Sequence, residues 1–175
     1  MVTMSDERIE SHGFVVAGVV SNSGEAVVAT AADLAARFGT GLLCVTVEPD
    51  RLAFAEGIDG TVLSYPLDPD DYGETLSFDV DLEARLRPIA SARGVELRTL
   101  VVAGEPAQCL SHLAEQLDAP LIVVGSREAG LRGSVREFFA GSVALHLSHR
   151  QRRPVVVVPL APVPRSQALP WEDEL

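Results

Sequence analysis

The chain has 175 residues, 47% of them hydrophobic, with a formal net charge of −11 and an isoelectric point near 4.7. That length suits one domain with a sizeable core and is short for two, and so acidic a protein argues against nucleic-acid and anionic-membrane partners, which select for Lys/Arg stripes. All fourteen basic residues are arginine, which excludes a Walker-type phosphate loop, a protein-kinase site and a Schiff-base enzyme, each of which needs a lysine.

Residues 1–13 mix Asp, Glu and Arg without an apolar signal-like stretch, and no run approaches the roughly 18 to 20 apolar residues of a membrane span. A flexible N-terminal segment and a cytoplasmic protein are the expectations. Phe14 to Val20 is a continuous apolar run, as in a strand buried on both faces. Ser21-Asn22-Ser23-Gly24 breaks it, and Asn22 with Glu25 resembles a capping box. Val27, Ala31, Leu34 and Phe38 repeat at helical spacing, Gly39 and Gly41 stop that helix, and Leu42 to Val47 reads as a second strand. Strand, helix, strand implies a parallel pair with a crossover.

From Glu48 to about Thr75 the periodicity fails in a stretch rich in Asp, Pro and Gly, which reads as a long surface excursion. Helical spacing returns with Leu82, Leu86 and Ile89 and ends near Gly94. A strand from about Val95 to Val102 follows, and Gly104-Glu105-Pro106 then opens a helix with proline at its first position and Leu110, Leu113 and Leu117 on its buried face. The strand Leu121 to Val124 runs into Gly125-Ser126-Arg127 and a loop rich in glycine and arginine. A helix from about Ser142 to Arg150 and a last strand, Val155 to Val158, complete the pattern. Residues 161–175, with Pro162, Pro164, Pro170 and an acidic end, read as a flexible tail, which leaves residues 14–160 as the domain.

Five apolar strands alternating with four helices predict a single α/β domain, a doubly wound five-stranded parallel sheet, whose ligand site lies beyond the carboxyl ends of the strands where the winding direction switches. The exits of the first strand, Val20 to Gly24, and of the fourth, Gly125, are the natural addresses. Gly125 and Gly141-Ser142 let backbone N–H groups and a helix N-terminus converge on an anion; alternatively, both glycines serve a tight strand exit and a close helix-to-sheet contact. A local basic patch sits there on an acidic protein: residues 125–153 hold six arginines against Glu128 and Glu137, whereas residues 48–83 carry eleven acids and Arg51 alone.

Ile122-Val123-Val124-Gly125-Ser126-Arg127, then Gly141-Ser142-Val143, then Arg153-Pro154 leading into Val155 to Pro159, together resemble the universal stress protein family, as does Gly104-Glu105-Pro106-Ala107. The resemblance covers about Phe14 to Leu160. It implies a sheet ordered 3-2-1-4-5, the adenine nucleotide alpha hydrolase-like architecture, and homodimers commonly joined through the last strand. Many members of the family bind ATP through Gly-x-x-Gly-x9-Gly-Ser/Thr, and others bind no nucleotide. Carried over, it assigns Val20 to the base-binding position, Val45 and Val124 to the adenine pocket, Gly125 and Arg127 to the sugar-phosphate path, and Gly141, Ser142 and Val143 to the phosphate end.

This chain departs from the pattern in three ways. Val20 stands where nucleotide-binding members carry an aspartate, and Glu128 occupies the second glycine position, where its charge opposes phosphate. Twelve residues rather than nine separate Glu128 from Gly141; with Gly130 in the glycine's role the gap is ten. Arg127, Arg132 and Arg136 are either compensating charges or solvated surface residues. The resemblance therefore implies a regulatory protein with a weak or conditional site for ATP or AMP, with magnesium accompanying it. The alternative is a dimeric interaction module of the same fold that binds no nucleotide. An ATP-hydrolysing enzyme is disfavoured because the motif places no metal-binding carboxylate pair or general base beside the phosphates, and any such activity would be slow.

Four other constellations are weaker. Asp68, Asp70, Gly73 and Asp79 approach the spacing of a calcium loop, but Tyr72 and Pro69 interrupt it and a solvated acidic loop is the simpler reading. His146 and His149 stand three apart on one helix with no carboxylate or cysteine near them in sequence, which fits complementing the helix dipole better than metal binding. His112 has no visible partner. Cys44 and Cys109 lie in apolar stretches as small core residues.

Overall fold

The computed structural model describes residues 13–21, 24–49, 51–56, 62–66, 77–126, 142–160 and 162, with backbone alone for 51–56 and 62–66. In chain order the elements are β1 (Phe14–Gly18), α1 (Gly24–Phe38), β2 (Gly41–Glu48), β3 (Arg51–Glu56), β4 (Val62–Pro66), α2 (Val80–Ser91), β5 (Leu97–Ala103), α3 (Pro106–Gln116), β6 (Ile122–Gly125), α4 (Val143–Arg150) and β7 (Val155–Val158). The main sheet runs β5-β2-β1-β6-β7, every pairing parallel. Numbered by its own five strands, that is the expected 3-2-1-4-5. The expectations on residues 1–12 and 163–175, and on Asn22, lie outside the described residues.

Side-chain alternation divides the strands between two apolar layers. Val15, Ala17, Val19, Leu42, Cys44 and Val123 pack under α1 and α2, whereas Val16, Leu43, Val45, Ile122 and Val124 pack under α3 and α4. Coverage on both faces is why the central strands read as unbroken apolar runs. No polar or charged side chain is buried among the described residues. α1 buries Val27, Val28, Ala31, Ala32 and Ala35, a small-residue stripe that lets it lie close to the sheet. Phe38, expected on that stripe, is 54% exposed, since it ends α1 just before Gly39 turns the chain away at φ 66°.

The helix starts follow the sequence signals. Asp79 caps α2, its carboxylate accepting from Asp81 N–H and Leu82 N–H at 2.9 and 3.0 Å, which gives a capping role to one acid of the calcium-like spacing. Asp68, Asp70, Tyr72 and Gly73 lie outside the described residues. Glu105 caps α3 in front of Pro106, and Ser142 caps α4. One expectation needs correction. The excursion after β2 contains an antiparallel hairpin, β3 with β4, whose register shifts between Ala53 and Ala55. An extra residue in one strand interrupts the two-residue alternation, so the pattern that would announce the pair is lost in the sequence.

Two ion pairs tie α1 to α2 and the turn that follows it. Arg85 of α2 meets Glu25 at 2.7 Å, and Arg93, in the turn just past the end of α2, meets Asp33 two turns further along α1. The Arg93 guanidinium, donating to Asp33 and attracting its charge, holds that carboxyl below its ordinary range; Arg37 helps, against a smaller desolvation effect. Because the folded value is the lower one, the stabilisation is complete above the unfolded carboxylate value of about 3.9 and is lost as pH falls through the folded value. Arg93→Met should therefore move the Asp33 titration, followed by NMR, up toward about 3.9 and flatten the acid limb of stability against pH. An unmoved titration would show that Arg93 does not set it.

Candidate functional site

The carboxyl edge of the sheet is built from the strand exits. Val45, Gly18 and Val124 stand in one row across β2, β1 and β6. Val19 N–H extends the pairing by donating to Val45 C=O at 2.9 Å, and Val20 follows with 55% exposure. The first and fourth strand exits thus lie side by side, at the point where the helices switch faces: α1 and α2 on one side, α3 and α4 on the other. This is the crevice that doubly wound sheets offer to ligands.

The predicted site residues divide within this frame. Val45 and Val124 are brought together but buried, at 0% and 3% exposure. Between them Gly18 leaves a notch, and Leu110 of α3 fills it: a Cβ on Gly18 would lie 2.9 Å from Leu110 Cδ1 and 3.4 Å from Val124 Cγ1. Gly125, at the end of β6, is covered in the same way on its other side, where an added Cβ would meet Leu160 Cδ1 at 2.6 Å and Val27 Cγ2 at 3.3 Å. Of the two readings open for that glycine, close packing is the one its contacts display. Ser142 Oγ accepts from Leu145 N–H at 3.3 Å, and Val143 packs against the layer beneath α3 and α4. Arg127, Glu128, Gly130, Arg132, Arg136 and Gly141 lie outside the described residues.

Topology also joins residues that are distant in sequence. His146 Nδ1 comes within 3.8 Å of Glu105 Oε1, supplying the carboxylate neighbour that sequence proximity did not offer. Glu105 is otherwise engaged, accepting from Ala107 N–H at 3.1 Å and Gln108 N–H at 2.8 Å. Among the described residues no group of three or more His, Cys, Asp or Glu side chains is placed to hold a metal ion. Neither thiol is poised for chemistry: burial pushes Cys44 up to about 12, and burial followed by the Glu105 charge pushes Cys109 up as well.

Sequence reasoning missed Leu110 as the plug of the Gly18 notch and Arg85 beside the first crossover. Helical spacing marked Leu110 as buried but could not say against what. Arg85 had a visible signal in its place between Leu82 and Leu86, beside the buried stripe, but no sequence rule names Glu25 as its partner. The contact over Gly18 is open to a double-mutant test. Gly18→Ala should cost about 1–3 kcal/mol by overpacking against Leu110, and in a Leu110→Ala background it should cost little or nothing. Equal costs in both backgrounds, measured by urea denaturation, would show that Leu110 does not fill the notch.

The sequence matches the model of the Universal stress protein family over residues 15–159. Among solved structures, a universal stress protein in complex with cAMP is similar at 23% identity and TM-score 0.58, covering 86% of this chain and 99% of its own. One from Archaeoglobus fulgidus is similar at 21% identity and TM-score 0.55, covering 83% and 93% respectively. Another from Archaeoglobus fulgidus, in complex with dAMP, is similar at 19% and 0.50, covering 85% and 98%. No curated protein matches the sequence. At these identities the structural likeness establishes the fold, and the family match over nearly the whole sheet establishes the lineage: the chain belongs to the universal stress protein family.

Proposed function

We propose that the chain is a regulatory ligand sensor whose site, at the carboxyl edge between β1 and β6, takes an adenine nucleotide weakly or conditionally. The observation that carries this reading is the junction of the two strand exits at the switch in winding, because that crevice is where sheets of this topology bind ligands. The cAMP and dAMP complexes of the two similar proteins make adenine mononucleotides the first ligands to try, beside ATP with magnesium. Val20 is exposed at the crevice without a hydrogen-bonding group, which weakens recognition of a base. A signalling role, with slow hydrolysis at most, suits this site better than catalysis. The protein's expected place is the cytoplasm.

A second reading, an interaction module of the same fold that binds no nucleotide, is favoured by the Leu110 plug between Val45 and Val124. Titration calorimetry with ATP, ADP, AMP and cAMP, with and without magnesium, separates the two. The sensor reading expects dissociation constants in the micromolar to millimolar range, about −8 to −4 kcal/mol, and tighter binding in a Val20→Asp, Glu128→Gly variant. The variant gains an acceptor for the base and loses a charge that opposes phosphate by about 2–3 kcal/mol at roughly 6 Å and an effective dielectric of about 20, before salt screening. No heat from any nucleotide, in wild type or variant, would leave the interaction module as the function.

The partner proposed under either reading is a second copy of the chain, paired through β7. That strand lies at the edge of the sheet, is entirely valine, and leaves Val157 46% exposed; an uncovered apolar edge invites another strand. Light scattering at tens of micromolar should report a dimer, and Val157→Lys should shift it toward monomer. A wild-type monomer at that concentration would reject the pairing.

A further inference from the structure

One face of α2 closes on the crossover from β1 to α1. Leu82, Arg85 and Leu86 lie at i, i+3 and i+4, so they share one side of the helix. Leu82 Cδ1 and Leu86 Cδ2 press on Gly24, where an added Cβ would find them at 3.1 and 3.4 Å. Between these contacts the Arg85 guanidinium forks. Its Nη2 donates to Ser21 C=O at 2.7 Å and its Nε donates to Glu25 Oε1 at 2.7 Å. Ser21 is the residue after exposed Val20, and Glu25 is the second residue of α1, so a single side chain holds both ends of the crossover.

We propose that Arg85 is a positioning residue for this site: from α2 it fixes Ser21, next to exposed Val20 at the strand exit, against Glu25 of α1, and so sets the nucleotide affinity without touching nucleotide. The proposal rests on the sensor reading above. A guanidinium suits the task because it is a planar fork that stays charged and supplies two donors in fixed directions, whereas a lysine presents one mobile ammonium. Glu25 serves twice, as the acidic partner of the fork and as a negative charge in the first turn of α1. The last hydrogen bond before the crossover, Val19 N–H to Val45 C=O, is the first rung to loosen when the fork is removed.

A second arginine beside α1 supplies a matched control. Arg93, in the turn that follows α2, meets Asp33 of α1 eight residues from Arg85, away from the crossover. Arg85→Met and Arg93→Met therefore each remove one partly exposed ion pair between α1 and the α2 segment or the turn that follows it, and only the first releases Ser21. Titration of AMP and of ATP with magnesium is expected to show affinity lower by about two- to fivefold in Arg85→Met, as fits an exposed ionic contact. Arg93→Met should match wild type, and Arg85→Lys should fall between. Amide hydrogen exchange on the ligand-free proteins should show reduced protection of Val19 in Arg85→Met and unchanged protection in Arg93→Met.

The two readouts separate the two ideas. If wild type binds no nucleotide while Val19 protection falls only in Arg85→Met, the sensor reading fails and the fork's hold on the crossover stands as structure alone, which overturns the affinity role. If affinity falls equally in both variants, the effect is general destabilisation and Arg85 has no positioning role. If Val19 protection is unchanged in Arg85→Met, the fork does not hold the crossover.

Discussion

β1 has to be covered on all sides. It pairs with β2 on one edge and β6 on the other, and lies beneath α1 on one face and α3 on the other. A strand so enclosed has to be apolar at nearly every position, because an unpaired polar group there would cost several times the stabilisation a methyl group provides. The same enclosure forces the chain to wind outward from β1 in one direction, return, and wind outward in the other. The crevice at the carboxyl end is a by-product of that reversal, since the helices on opposite faces leave their strands in diverging directions. Fold and site therefore share one cause.

How much of this was legible follows from the same enclosure. Fully covered strands write themselves into the sequence as runs, so Phe14 to Gly18 and Ile122 to Gly125 were found to within two residues, and the topology followed from the alternation with helices. The starts of α3 at Pro106 and of α4 near Ser142 were legible because their signals are local, whereas the capping side chains Glu105 and Ser142 were not named by them. The hairpin of β3 and β4 was not legible, because its bulge breaks the period by which strands are recognised. The site was half legible. Strand exits are positions along the chain and can be read from it, whereas what covers them is set by elements far away in sequence: Leu110 over Gly18, Leu160 over Gly125, Arg85 beside Ser21.

Those contacts change the meaning of the glycines. In the sequence, a glycine at a strand exit suggests room for a ligand. Here each of three at the carboxyl edge has a leucine upon it: Leu110 on Gly18, Leu82 on Gly24 and Leu160 on Gly125. The absent side chain makes space for a neighbouring helix or turn, and the apolar layers thereby reach to the rim of the sheet. Among the described residues, these three positions at the rim are defined by apolar packing.

The residues just past β7 connect two parts of the molecule usually considered apart. Ser126 N–H donates to Val158 C=O at 2.7 Å, and Ser126 Oγ accepts from Leu160 N–H at 3.0 Å. The end of the last strand is thus tied twice to the residue where β6 leaves the sheet. A tension applied along the outer strand, by a neighbour pairing with it or by a cargo fused behind Leu160, is delivered first to that exit. For the same reason, cutting the chain just before Leu160 removes one of these two bonds together with the leucine that covers Gly125.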